Sequence, residues 1–171
     1  MKAKDLYAQA AVLLSTGDPS NAITAANFLH SIVYSKNDGS KDCSFWKGHA
    51  AIDLATLYLV GVESCDYVAE DGNIYADTYI EPDLLKAYDL CRRAIKHKCY
   101  DGVVIIAEIY LMLHDYYHAV QLYAAAIKYG YKGADDAKKI LDKLVEDHKI
   151  DKIPETCYEP TWDPVLEIHM P

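Results

Sequence analysis

Basic charge is scarce in this chain: 17 Lys and Arg stand against 26 Asp and Glu in 171 residues, a net charge of -9. Binding to a nucleic-acid backbone is driven by clustered Lys and Arg, so this balance argues against such a ligand and for a basic or neutral partner. The five cysteines, Cys43, Cys65, Cys91, Cys99 and Cys157, are odd in number and show no C-x-x-C spacing. That pattern offers neither a disulfide framework nor a zinc knuckle, and it fits a reducing, cytoplasmic setting. No run approaches the roughly 20 apolar residues that span a bilayer. Near the start, Lys2 and Lys4 precede an apolar stretch that Asp5 and Gln9 interrupt, so the segment reads as a first helix and not as a signal peptide. No Ser-His-Asp order, phosphate-cradling glycine loop or metal-protease helix is present, so neither catalysis nor a cofactor or metal is expected.

What is present is helical periodicity, broken at intervals by Pro, Gly and Asp. With 51% hydrophobic and 25% charged residues the chain is long enough for one domain with a continuous core. The pattern predicts helices at about 3–16, 19–35, 45–60, 82–98, 100–113, 116–129 and 133–149, with a polar stretch from Lys36 to Ser44 and a tail from Ile150. Asp18-Pro19 is a good entry to the second helix, because Asp caps free N–H groups and Pro suits the first turn.

Two of these segments superimpose at a shift of 32 residues: Lys86-Ala87, six residues, Ala94-Ile95-Lys96 falls on His118-Ala119, six residues, Ala126-Ile127-Lys128. A shift of 52 places Leu54-Ala55-x-x-Tyr58 on Ile106-Ala107-x-x-Tyr110, and a shift of 97 places Ala10 on Ala107 and Ala22 on Ala119. Such self-similarity marks repeated helical hairpins, none of which buries its apolar face alone. Ala10, Ala55 and Ala107 are expected to let partner helices approach closely, with Tyr58 and Tyr110 filling the space one turn later.

Leu54-Ala55-x-x-Tyr58-x-x-Gly61, followed by Lys86-Ala87 and Ala94-Ile95, resembles the Sel-like repeat, a relative of the tetratricopeptide repeat. The resemblance covers about Trp46 to Leu144, and Lys4 to Val33 more weakly. Leu113 stands where the family has a turn glycine, and a long insert replaces the usual connection between helices. The resemblance implies an all-α, right-handed solenoid of stacked antiparallel hairpins that scaffolds protein complexes without catalysis. The expected organisation is a repeat domain over 1–149, with an insert at 62–81, and an extended tail over 150–171.

The insert breaks the repeat and holds Glu63, Asp66, Glu70, Asp71, Asp77 and Glu81, with no basic residue, beside Tyr67, Tyr75 and Tyr79. Asp71-Gly72 lies between two alternating stretches, which predicts a small β-hairpin with a tight primed turn. Insertions of this length carry side chains that packing does not dictate, so Glu70, Asp71, Tyr75, Asp77 and Tyr79 are expected to contact a protein or peptide partner. Gly72 lacks the spaced oxygen ligands of a calcium loop. Thr56 and Glu108, aligned by the repeat, are expected to face a groove on the inner helices. The chain has 15 Tyr against 2 Phe, and since a desolvated hydroxyl needs a partner, many of these rings are expected at half-exposed positions, where they serve as binding anchors.

His114 and His118 stand four apart, but Asp115 between them is expected to cap the sixth helix, which disfavours a metal pair. Cys91 and Cys99 are expected to be buried, although Arg92, Arg93, His97 and Lys98 lie near them in sequence. The tail carries four prolines together with Trp162, Val165, Leu166 and Ile168, and it is expected to run extended over the last hairpin. Three functions follow in order of preference: a protein-interaction module or scaffold, an inhibitor or adaptor from a pathogen or mobile element that blocks a host enzyme, and a thiol- or metal-dependent enzyme.

Overall fold

The computed structural model describes residues 2–36, 40–62 and 80–153 with their side chains, and 66–68 and 74–76 by their backbone. Among the described residues there are seven helices: α1 Ala3–Leu14, α2 Pro19–Val33, α3 Lys41–Val60, α4 Leu84–Lys96, α5 Gly102–Met112, α6 Tyr116–Tyr129 and α7 Ala134–Glu146. Two three-residue strands, β1 Asp66–Val68 and β2 Ile74–Ala76, form an antiparallel ladder between α3 and α4. No helix among the described residues is long and apolar enough to cross a membrane.

Side-chain caps set four of the helix starts. Asp18 accepts from the Ser20 N–H at 2.8 Å, Ser40 from Cys43 at 3.0 Å, Asp83 from Lys86 at 2.9 Å and Asp115 from His118 at 3.1 Å. Each satisfies an N–H group that the first helical turn leaves without a partner. The Ser40 cap corrects the reading of Lys36 to Ser44 as a linker, since α3 already begins at Lys41. The Asp83 cap likewise puts Pro82 ahead of α4 and not inside it.

Helix ends obey a second rule. After α4, α5, α6 and α7 the chain turns through a left-handed residue: Lys98 (φ 62°), His114 (φ 59°), Gly130 (φ 65°) and His148 (φ 53°). In each case the following N–H returns to a carbonyl five residues back: Cys99 to Ala94 and Tyr131 to Ala126 at 3.0 Å, Asp115 to Tyr110 and Lys149 to Leu144 at 2.9 Å. This bond closes the last turn of the helix and satisfies one of its terminal carbonyls. Lys98 and Gly130 are separated by the same 32 residues as the sequence repeat, with His114 midway between them.

The chain divides into two compact units, Met1–Cys99 and Tyr100–Pro171. In the first, α3 packs on α1, α2 and α4, and α1 packs on α2. Its interior is lined by small residues, with Ala10, Ala25, Ala50, Ala51, Ala55, Ala87 and Ala94 fully enclosed among Leu29, Ile32, Leu54 and Leu90. In the second, α6 packs on α5 and on α7, around Ile106, Ala107, Ile109, Ala119, Leu122, Tyr123 and Leu141. Ala10, Ala55 and Ala107 are thus core contacts, as their repeat register predicts. Ala22 departs from that register: it is half-buried where Ala119 is enclosed, and Ala25 takes the inward place.

The insert leaves and rejoins the helices at one point. Val62 pairs with Ile80, and the Asp83 N–H donates to the Tyr58 carbonyl at 2.7 Å. Gly61 makes this junction possible, because its φ of 79° is left-handed and a Cβ there would stand 2.8 Å from the Pro82 ring and 3.1 Å from the Ile80 carbonyl oxygen. Farther out, Asp66 faces Ala76, Tyr67 faces Tyr75 and Val68 faces Ile74. The two strands pair antiparallel, and the expected tight primed turn lies outside the described residues. Asp71 and Gly72 lie outside the described residues, as does the tail beyond 153.

Candidate functional site

In the first unit a groove of about 330 Å³ opens at the root of the insert, between α2, α3 and α4. Its floor is Leu54, Tyr58 and Leu90, and its rim is His30, Tyr34, Leu85, Lys86 and Asp89. Tyr34 is 50% exposed and Leu85 65%, so two large apolar side chains face solvent within one groove. Exposed apolar groups gathered in this way mark contact sites more often than scattered ones do.

Electrostatics hold the rings in place. The Arg93 guanidinium lies 4.9 Å from the centre of the Tyr34 ring while its Nε donates to Asp89 at 2.8 Å. The His30 ring approaches Tyr34 at 4.3 Å between centroids. The Lys86 ammonium lies 5.1 Å from the Tyr58 ring centre and 3.1 Å from Asp83. The Asp83 carboxyl is held below its usual range, first by the Lys86 N–H that it caps and then by the Lys86 ammonium. Each cation is thus shared between a ring face and a carboxylate, which fixes the side chains that shape the groove.

Thr56 is exposed on α3 but does not line this groove; its hydroxyl donates to the Ile52 carbonyl of its own helix at 3.1 Å. Leu54 and Tyr58, on the other face of the helix, line it instead. Tyr58 is therefore a groove residue, and the core filler expected at this repeat position is found only at Tyr110, 3% exposed. Tyr75 lies on β2, while Glu70, Asp71, Asp77 and Tyr79 lie outside the described residues. Of the groove residues, Tyr34 has the clearest signal in the sequence, an aromatic one turn beyond His30 at the end of a helix.

In the second unit Glu108 is half-buried on α5. Burial pushes its carboxyl above the usual range, and the nearby Asp136 charge on α7 adds to the shift. No basic side chain among the described residues pairs with it. Below it on α6, Tyr123 is fully enclosed and its hydroxyl finds no hydrogen-bond partner among the described residues. Burial raises the Tyr123 phenol, and the Glu108 charge raises it further. Asp136 itself is exposed and bonded to Lys139 at 2.8 Å. An anion half-removed from water without a cation is poised to accept one.

The histidine pair is resolved by its cap. Asp115 takes the His118 N–H and also contacts His118 Nδ1 at 2.7 Å, while His114 occupies the left-handed position before it. Cys43 and Cys91 are buried, and Cys99 is half-buried. Of the Tyr rings described with their side chains, Tyr88, Tyr110 and Tyr123 are enclosed, whereas Tyr7, Tyr34, Tyr58, Tyr100, Tyr116, Tyr117, Tyr129 and Tyr131 are half-exposed or exposed, in keeping with the Tyr-for-Phe bias. Comparison with family models, with curated proteins and with solved structures returned no significant match.

Proposed function

We propose that the chain is a non-enzymatic protein-interaction module, a right-handed α-solenoid of Sel-like hairpins that binds a protein or peptide partner in the cytoplasm. The observation that carries this reading is the groove at the root of the insert, where Tyr34 and Leu85 stand exposed beside Tyr58. An apolar side chain of the partner enters between Leu85 and the two tyrosines, and the insert, with six acidic residues and no basic one, attracts the partner's flanking basic residues. Glu108, short of a cation in the second unit, is a further contact for a basic side chain. The 32-residue spacing of Lys98 and Gly130 supports the repeat reading, since the same helix-end conformation recurs where the sequence recurs.

The test places a photo-reactive amino acid at Leu85 and, as control, at exposed Val12. The expected result is a discrete adduct from position 85 alone, lost on Tyr34→Ala and weakened when residues 63–79 are replaced by a short glycine-serine linker. Equal adducts from both positions, or an adduct indifferent to Tyr34→Ala, would remove the groove from the function.

A further inference from the structure

Behind the loop that ends α4, Cys99 meets a histidine. Its sulfur lies 4.0 Å from Nδ1 of His49 on α3, at the outer limit of a sulfur hydrogen bond. Two backbone features bring the pair together. The left-handed Lys98 turns the chain so that the Cys99 N–H returns to Ala94, and Gly48 lets α3 come close enough that a Cβ there would stand 2.8 Å from the Cys99 Cβ. The His49 ring is steadied by Phe45 at 4.3 Å and Tyr7 at 6.3 Å between centroids. Cys43 and Cys91 are buried, whereas Cys99 and His49 are both half-buried.

We propose that Cys99 and His49 form a modification site at which the Cys99 thiol exchanges with a small disulfide such as glutathione disulfide. With Nδ1 unprotonated, His49 takes the thiol proton. The Cys99 thiolate attacks one sulfur of the disulfide, a new S–S bond forms to Cys99, and the original S–S bond breaks. The departing glutathione thiolate takes up the proton from His49. Cys99 is oxidised and one glutathione is reduced, so no further oxidant is required. Titratable groups near the pair among the described residues include Tyr7 on α1, Asp53 one turn along α3, and His97 past the end of α4. Tyr7 donates to Asp53 at 2.7 Å and also lies within electrostatic reach of Cys99, while His97 Nδ1 bonds Ser44 Oγ at 2.9 Å.

The proposal is independent of the groove and is tested without a partner protein. The full chain, with Cys65→Ser and Cys157→Ser, is exposed to glutathione disulfide, and the modified positions are mapped by mass spectrometry. An unassisted thiol is only a few per cent thiolate at pH 7, so the expected rate at Cys99 is at least about tenfold above that at Cys43 and Cys91. His49→Gln is expected to lower the Cys99 rate about tenfold at pH 7 and to leave it nearly unchanged at pH 10, where any exposed thiol ionises. Equal rates at the three cysteines would overturn the proposal. A loss of the same size at both pH values would also overturn it, because that assigns His49 a packing role only. Should His49→Gln unfold the chain, the rate profile with His49 in place decides: a midpoint below about 8.5 supports the proposal and one at or above it refutes it.

Discussion

The Tyr7 hydroxyl donates to Oδ2 of Asp53 at 2.7 Å, across 46 residues of sequence, and so pins the first helix to the third. The Tyr7 ring also packs on Trp46 at 5.1 Å between centroids. Burial first, and the Asp53 bond second, raise the pKa of the phenol, which therefore stays protonated and remains the donor.

Tyr7→Phe keeps the ring packing and removes only the hydroxyl. The half-buried Asp53 carboxylate then loses its donor, and a loss of about 1–2 kcal/mol in unfolding free energy is expected. Urea denaturation followed by circular dichroism measures it. A change below about 0.3 kcal/mol would mean that solvent replaces the bond at no cost.

Lys47 is the buried basic residue among the described residues, 4% exposed, and its ammonium donates to the Ser35 carbonyl just past the end of α2. A cation there offsets the partial negative charge of the helix end. Lys47→Met keeps the stem and removes the donor, with an expected cost of about 1–3 kcal/mol. The same variant has a second readout. His97 is held below the ordinary imidazole range by burial first and by the Lys47 charge second, so its titration, followed by NMR, is expected to move upward in Lys47→Met while remaining depressed.

Glu108 gives the pH dependence. Its carboxyl is raised in the folded chain, so between the ordinary carboxyl range and the raised value the folded state holds more protons than the unfolded one. Stability contributed by this group therefore falls as pH rises through that window and is regained on acidification. Glu108→Gln is expected to raise the melting temperature at pH 7 and to match the wild type near pH 4. An unchanged melting temperature at both pH values would show that the carboxylate is solvated in the folded chain.

Much of the helical order was legible in the sequence because helix signals are local. Proline and the capping Asp18 and Asp115 act on the N–H groups within three residues, and apolar spacing marks the face of each helix. The small residues Ala10, Ala55 and Ala107 could be placed in the core for the same reason. Of the left-handed ends of α4 to α7, Gly130 alone was legible; at Lys98, His114 and His148 the residue type gives no such signal, because closing the last turn outweighs the modest strain at an L-residue. Tertiary packing alone decided that Tyr58 opens on a groove while Tyr110 is enclosed, since the same repeat position meets different neighbours in each copy. It alone brought Tyr34 beside Leu85, and Cys99 beside His49, because residues 51 and 50 apart in sequence meet only through how the helices pack.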